Sequence, residues 1–338
     1  MGIRKTTMSD VAREAGVSIS TVDRVLNGRG GVAPAKANRI LSAARRLRLD
    51  RALSYRPSRT LRVAVLIQAP ANPFHAALRQ GIDLAARIHS DLNLQFLVHH
   101  IDPNDPARIA DVVRAQSSRC DGLIVTSPDE ARIAAALRDA AARIPVVTLA
   151  DDIADSGRLA YVGPDDQKAG RVAGDLMGRL LRPDGGHVLM IAGLRSMAGH
   201  REREAGFRSV LAAFYPESRV SAVLESHEDA QRAGLLVLHA LKADPQVRGI
   251  YHASTGSVPV VQALRQLDRA DTTVFITHEL TDNRRALLRE RAIDGVIDQN
   301  PALEARVAVE TMARLLGRLE GEPVTTVTDF QIYMAENA

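Results

Sequence analysis

The side chains at the start of the chain are of the type that binds a polyanion. Residues 1–62 contain 14 Lys and Arg against 4 Asp and Glu, a net charge of +10, whereas the remainder holds 30 basic and 36 acidic side chains. Positive charge concentrated in one segment favours a nucleic-acid partner. Aromatic residues are 3% of the chain and Trp is absent, which argues against the stacking platforms that bind RNA and single strands. Double-stranded DNA is therefore the predicted partner.

The start of the chain also predicts helices that would hold this charge in place. Ser9 and Asp10 suit the N-cap and acidic first turn of one helix, and Gly16 suits the left-handed position that ends it. Ser18 would cap a second helix over about 19–26. The residues facing a shared core would be Val11, Ala15, Val22 and Val25, with the small Ala12 where the helices cross. This pattern is typical of a helix-turn-helix and argues against a disordered basic tail.

A third helix, opened by Pro34 and continuing to about Leu49, would complete a three-helix headpiece over residues 1–49. In a helix-turn-helix, the second helix enters the major groove of DNA. Its candidates for base contacts are Ile19, Ser20, Thr21 and Arg24. The polar and basic side chains that suit phosphate contacts are Asn27, Arg29, Lys36 and Arg39. The alternative is a generic three-helix bundle with a solvated basic face.

Residues 9–28 read SDVAREAGVSISTVDRVLNG, and they resemble the start of a lac repressor family (LacI/GalR) regulator. The resemblance extends almost without gaps over residues 8–49. It implies that Ile19, Ser20 and Arg24 read bases, in a repressor whose operator binding responds to a small molecule. It also implies a homodimer on an inverted-repeat operator, since a two-fold dimer matches a palindrome. Asp23 departs from the small polar residue usual at its position, which leaves the operator preference open.

Residues 50–61 form the predicted linker, and Pro57 prevents a continuous helix into the next domain. Members of the family usually place a short hinge helix here, which folds on the operator and inserts a leucine into the minor groove. Leu53 is the candidate for that leucine, although the usual hinge has its proline early and its helix afterwards. The alternative is a basic tether whose arginines contact phosphates, and the sequence does not decide between the two.

Beyond residue 61, short apolar runs alternate with helical stretches. The predicted strands cover 62–67, 94–98, 122–125, 145–149, 159–162, 187–191, 220–224, 249–251, 273–277 and 295–297, with a last strand near 327–333. Such alternation implies parallel sheets with helices on both faces. Two successive series of this kind predict two similar doubly wound α/β subdomains.

This arrangement resembles the ligand domain of the same family, which has the type I fold of periplasmic sugar-binding proteins. The resemblance implies three crossings between subdomains and a small effector in the cleft at the carboxyl ends of the strands. We assign the whole of 62–338 to effector binding and dimerisation. One subdomain would comprise 62–162 plus 293–322, and the other 163–292 plus 323–338.

The resemblance also supplies candidate effector-binding side chains. They are Asn72, Phe74, His75, Asp151, Asp166, Arg203, Ser254, Thr255, Glu279 and Gln299. Phe74 suits stacking on a sugar face, and Asn72 or His75 could bind hydroxyls. The fork of Arg203 suits neighbouring hydroxyls or a carboxylate. Gln299 matches the glutamine of the family.

Some of these positions depart from the sugar-binding relatives. Asp151 follows Ala150 where an Asp-Arg pair is frequent, and Ser254 and Thr255 lie where an Asn-Asp pair is usual. One arginine that the sugar-binding relatives carry is therefore missing, and several of the candidate positions hold carboxylates instead. This favours a neutral sugar or polyol, with or without an amine, over a phosphorylated or nucleobase ligand. Asp165 and Asp166 suit helix capping as well as ligand binding.

The sequence offers little for catalysis. The ten histidines lack metal-ligand spacing, and we find no nucleophile elbow, no P-loop and no dinucleotide-binding glycine motif after the first predicted strand. We therefore predict a protein that is not an enzyme, with no catalytic residues, cofactor or metal. The single Cys120, with no signal peptide and no long apolar run, predicts a cytoplasmic protein without a membrane contact. The helix-turn-helix argues against the alternative of a transport solute-binding protein.

Overall fold

The computed structural model describes residues 6–27, 29–47, 49, 59–153 and 155–338. Most of the predicted linker, including Leu53, lies outside the described residues. None of the helices in the described ranges is long and apolar enough to cross a membrane.

Three helices form the headpiece: α1 (Met8–Ala15), α2 (Ile19–Leu26) and α3 (Pro34–Arg46). The N-cap of α1 is Thr7, whose hydroxyl accepts from the Asp10 N–H while the Asp10 carboxylate accepts from the Thr7 N–H at 3.0 Å. The predicted N-cap at Ser9 was therefore wrong, because this reciprocal capping box begins the helix earlier, whereas Asp10 lies in the acidic first turn as predicted. Gly16 ends α1 at φ 62° and Ser18 caps α2, as predicted.

The headpiece encloses its own apolar core. The buried residues are Val11, Ala12, Ala15, Val22, Val25, Leu26, Ile40, Leu41, Ala43 and Ala44. The five core positions predicted from the first two helices are all among them. Because each helix buries only one stripe, the other face of α2 stays available to solvent.

Beyond the headpiece, the strands of the described residues are β1 (Leu61–Gln68), β2 (Leu94–Ile101), β3 (Gly122–Val125), β4 (Val146–Leu149), β5 (Ala160–Pro164), β6 (Gly186–Ala192), β7 (Ser218–Glu225), β8 (Val247–His252), β9 (Val274–His278), β10 (Gly295–Asp298), β11 (Thr326–Thr328) and β12 (Gln331–Tyr333). They form two six-stranded sheets, ordered β11-β5-β4-β3-β1-β2 and β12-β10-β9-β8-β6-β7. All their pairings are parallel except that of β10 with β12. The predicted doubly wound α/β class is confirmed.

Helices cover both faces of each sheet. They are α4 (Pro73–Ile88), α5 (Pro106–Ser117), α6 (Ala131–Ala141), α7 (Asp166–Leu180), α8 (Ala198–Phe214), α9 (Ala230–Ala243), α10 (Ser257–Gln266), α11 (Asp282–Arg289) and α12 (Pro301–Leu315). Along β1, Val63, Val65 and Ile67 pack into one apolar core. Ala64 and Leu66 pack into the core on the opposite face. This is why the buried strands read as continuous apolar runs in the sequence.

The segments that change sheets differ from the predicted subdomain limits. The predicted limits placed 293–322 in the first subdomain, but β10 pairs with β9 in the second sheet. The predicted strand near 327–333 is two short strands, of which β11 belongs to the first sheet and β12 to the second. The last two crossings therefore fall between β10 and α12 and between β11 and β12. An apolar run has the same pattern in either sheet. The sequence alone could therefore not show which sheet each of these strands joins.

Candidate functional site

A cleft lies where the carboxyl ends of the two sheets meet. Its walls are formed by Gln68, Asn72, Pro73, Phe74, His75, Asp151, Met197, Gly199, His200, Arg203, Glu228, Ala253, Ser254, Thr255, His278, Glu279, Arg284 and Gln299. Nine of the ten side chains predicted from sequence are in this set, and the tenth, Asp166, lies directly behind Arg203. Most wall residues end a strand or start the helix that follows it, which is the position where open parallel sheets bind ligands.

Arg203 is held in a fixed orientation at the centre of the cleft. Its Nε donates to Asp166 Oδ1 at 2.6 Å and its Nη2 donates to Gln299 Oε1 at 3.1 Å, and all three side chains are buried. Gly170 allows this contact, since a Cβ there would lie 2.1 Å from the Arg203 carbonyl oxygen. Burial raises the pKa of Asp166, and the Arg203 guanidinium opposes the rise. The arrangement leaves Arg203 with further N–H donors for a ligand.

Three more carboxyl groups line the cleft. Burial, and next the neighbouring Asp166, raises the pKa of Asp151 to about 7. Burial, and next Asp151, raises the pKa of Glu228 to about 7. Burial, and next Asp298, raises the pKa of Glu279 to about 8. These groups are therefore partly protonated near neutral pH, because low-dielectric surroundings disfavour the ionised form.

Glu279 differs from the other two carboxyl groups in its hydrogen bonding. Asp151 Oδ1 accepts from the Gly199 N–H at 2.9 Å. Glu228 Oε2 accepts from Asn72 Nδ2 at 3.2 Å. Both carboxyl oxygens of Glu279 are buried without a hydrogen-bond partner among the described residues. A buried polar group in that condition calls for an explanation.

The remaining basic groups of the cleft are Arg284 and a set of histidines. Burial lowers the pKa of Arg284 to about 10, which leaves it charged at neutral pH. Its Nε donates to Ser257 Oγ at 2.8 Å, and its Nη2 donates to the Ser254 carbonyl at 2.6 Å. Burial also lowers the pKa of the buried histidines, so they are neutral; these are His75, His200, His252 and His278. They offer donors and acceptors rather than charge.

Several contacts join the two sides of the cleft. Besides the Asp151 and Glu228 contacts, Arg201 Nη2 pairs with Asp129 Oδ2 at 2.8 Å at the rim. The Asp129 N–H also donates to the Ser196 carbonyl at 2.9 Å. Both subdomains thus contact each other across the cleft through polar groups.

Sequence reasoning missed part of the cleft wall. The missed polar side chains are Gln68, His200, Glu228, His278 and Arg284. Gln68 and His278 are the last residues of their strands, so the rule that ligands bind at strand ends would have found them. His200 and Arg284 lie within helices and gave no local signal. Asp165 caps α7 by accepting from the Lys168 N–H at 2.8 Å, as its capping interpretation predicted.

The exposed face of α2 carries the side chains predicted to contact DNA. Ile19 is 50% exposed although it is apolar, Ser20 and Arg24 are exposed, and Thr21 is half-buried. Asp23 accepts from Asn27 Nδ2 at 2.6 Å and pairs with Arg29 Nη1 at 2.9 Å. Lys36 and Arg39 are exposed on α3. Asp23 thus orders two of the side chains predicted to contact phosphates.

Two family models match separate parts of the chain. A family model described as periplasmic binding protein domain matches residues 63–322, and one described as bacterial regulatory proteins, lacI family, matches residues 7–58. The ribose import binding protein RbsB of Salmonella typhimurium is 24% identical over 265 residues, which cover 78% of this chain and 86% of that protein. The maltose regulon regulatory protein MalI of Escherichia coli is 26% identical over 255 residues, which cover 73% of this chain and 71% of that protein.

Solved structures agree on the fold. GanP, a glucose-galactose binding protein from Geobacillus stearothermophilus, matches with a TM-score of 0.74 and 23% identity, covering 83% of this chain and 99% of that chain. The ligand domain is thus a periplasmic binding protein domain. The chain thus belongs to the periplasmic binding protein domain family over most of its length, and it begins with a DNA-binding domain of the lacI family of bacterial regulatory proteins, as the resemblance predicted.

Proposed function

We propose that this regulator is a repressor of genes for the uptake or breakdown of a sugar or polyol. The observation that carries the proposal is the buried polar cleft between two subdomains, in a chain that begins with a DNA-binding headpiece. Relatives named for ribose import and for the maltose regulon support a carbohydrate effector. The proposed role is binding, without catalysis, cofactor or metal, in the compartment that holds the chromosome.

On the DNA side, α2 would enter the major groove and read bases through Ile19, Ser20, Thr21 and Arg24. Asn27, Arg29, Lys36 and Arg39 would contact phosphates. Two headpieces of a homodimer would bind the two halves of an inverted repeat. The linker would connect each headpiece to its ligand domain, with Leu53 as the candidate minor-groove contact.

On the effector side, the small molecule would bind both walls of the cleft at once. Arg203 and Gln299 would bind hydroxyls from one side, and Asn72, Phe74 and His75 from the other. The remaining predicted contacts are Asp151, Ser254, Thr255 and Glu279, and Asp166 would act through Arg203, which it holds in place. A ligand that favours one arrangement of the subdomains shifts the positions of the headpieces. The coupling free energy between the two sites would be about 1–3 kcal/mol.

A thermal-shift screen of the purified full chain against sugars, polyols, sugar acids and nucleobases tests the proposal. A ligand that binds only the native state stabilises it by about 2.7 kcal/mol at a hundredfold excess over its Kd. We expect hits among sugars or polyols, and we expect each hit to change the affinity for an operator selected from genomic DNA. Hits confined to nucleobases or sugar acids would contradict the proposed effector class.

A further inference from the structure

The most unusual group in the cleft is the Glu279 carboxyl. The residue is 8% exposed, and neither carboxyl oxygen has a hydrogen-bond partner among the described residues. Its backbone has φ 64°, the left-handed region that residues with a Cβ rarely adopt. The Glu279 N–H donates to the Ile297 carbonyl at 2.9 Å, which fixes this conformation. Backbone strain of this kind persists where surrounding structure enforces it, often at ligand sites.

The charges around Glu279 do not balance. Four carboxyl groups lie in or directly behind the cleft wall: Asp151, Asp166, Glu228 and Glu279. The two guanidinium groups are those of Arg203 and Arg284, and the histidines are neutral. Arg203 is paired with Asp166. Three carboxyl groups, each partly protonated near neutral pH, therefore share one remaining guanidinium.

Arg284 does not supply the missing partner of Glu279. Its side-chain N–H groups donate to Ser257 Oγ and to the main-chain carbonyls of Ser254 and Glu279. It thus holds two loops together and leaves the Glu279 carboxyl, in the wall of the cleft, without a hydrogen-bond donor among the described residues. An unpaired buried carboxylate is costly, so the group needs either a proton or a cation.

We propose that the effector carries an ammonium group that binds the Glu279 carboxylate, so that the cleft selects an amino sugar or amino polyol. This inference rests on the proposed function and narrows its ligand class. The ammonium would offset the excess of carboxyl groups, while Arg203 and Gln299 bind hydroxyls. A phosphorylated or acidic ligand would instead meet repulsion from Asp151, Glu228 and Glu279.

Matched ligand pairs test the inference on the whole 338-residue chain. Isothermal titration calorimetry would compare glucamine with sorbitol, and glucosamine with glucose and with neutral N-acetylglucosamine. We expect the amine of each pair to bind roughly 10- to 100-fold more tightly, which corresponds to one charge-assisted hydrogen bond of about 1.5–3 kcal/mol.

The variant Glu279→Gln keeps the shape of the side chain and removes its charge. We expect it to bring the affinity for the amine close to that for the neutral ligand. Glu290→Gln is the matched control, since Glu290 forms an exposed ion pair with Arg265 at 3.1 Å, and it should retain the preference. Chemical denaturation of each variant reports that its ligand domain is folded, and the ligand pairs on the unaltered protein need no variant.

Amines that bind no better than their neutral partners, or that do not bind at all, would overturn the inference. A preference that persists in Glu279→Gln would do the same. A neutral sugar that binds more tightly than its amine and changes operator affinity overturns the inference but leaves the proposed function standing. Ligands that bind and leave operator affinity unchanged would contradict the proposed function instead.

Discussion

The headpiece and the ligand domain use their charged side chains in opposite ways. On α2 the candidate contact residues, such as Ser20 and Arg24, are exposed on one face of a small helix-turn-helix. In the cleft, Arg203 and Asp166 are buried and paired at 2.6 Å. A long polyanion needs a solvated basic surface, whereas a small polar ligand needs groups that are already desolvated and oriented. Substitutions should therefore cost binding alone in the headpiece, and both binding and stability in the cleft.

The largest effect is expected from Arg203→Ala. Loss of the guanidinium leaves the buried Asp166 without its partner, so the free energy of unfolding of the ligand domain should fall by about 3–5 kcal/mol. Chemical denaturation measures this change. The control on the same helix is Arg208→Ala, because Arg208 pairs with Glu204 at 2.8 Å at the surface and should lose less than about 1 kcal/mol. Equal losses in the two variants would show that the buried pair of Arg203 contributes no more to stability than the surface pair of Arg208.

Gly170→Ala tests whether the close approach of α7 and α8 positions Arg203, and it removes no charge. The new Cβ would lie 2.1 Å from the Arg203 carbonyl oxygen, so α7 and α8 must separate. We expect a loss of about 1–3 kcal/mol in the free energy of unfolding, together with weaker effector binding. At Gly295 the nearest atoms to a Cβ are 4.0 Å away, so Gly295→Ala should be nearly neutral. A neutral Gly170→Ala would mean that the close approach does not position Arg203.

Arg24→Ala tests the headpiece side of the comparison. We expect it to lose about 1–3 kcal/mol of discrimination between operator and random DNA, with no change in melting temperature. Arg13→Ala is the control, because Arg13 is exposed on α1 and pairs with Asp10 at 2.6 Å. Fluorescence anisotropy with both DNAs gives the discrimination. If Arg24→Ala discriminates between operator and random DNA as well as the unaltered protein does, Arg24 on α2 does not read the operator bases.

The smallest expected effect is the pH dependence of stability. Asp151, Glu228 and Glu279 have pKa values raised to about 7, 7 and 8, so the folded state binds more protons than the unfolded state above their ordinary values. The free energy of unfolding should therefore fall as pH rises from about 6.5 to 8, by on the order of 1 kcal/mol. The buried histidines have lowered pKa values, so their effect on the free energy of unfolding falls below this pH window. Glu279→Gln should flatten the dependence, and a rise in stability over this window would contradict it.

The sequence predicted the headpiece well because its signals are local. Gly16 and Ser18 mark the turn between α1 and α2, and the spacing of Val11, Ala12 and Ala15 marks the buried stripe. The error at the N-cap arose because Thr7 and Asp10 form a reciprocal pair, which satisfies more N–H groups than Ser9 would.

The ligand domain was predictable in class but not in detail. The alternation of strands and helices predicted two parallel sheets, and the resemblance to periplasmic sugar-binding proteins supplied most of the side chains found in the cleft wall. Gly295–Asp298 was assigned to the wrong subdomain, because both sheets accept the same apolar pattern. The pairing of Arg203 with Asp166 and the missing partner of Glu279 depend on contacts between distant segments. No local pattern encodes those contacts, so only the assembled fold reveals the charge balance of the cleft.

We propose that ligand binding in the cleft changes the affinity of the headpiece for operator. Fluorescence anisotropy of labelled operator measures this coupling when the full chain is titrated at zero and at saturating concentrations of a ligand from the thermal-shift screen. We predict a change in operator affinity of roughly 5- to 150-fold, and the same factor in ligand affinity when operator is saturating. An operator affinity that stays the same while the ligand demonstrably occupies the cleft would contradict the account.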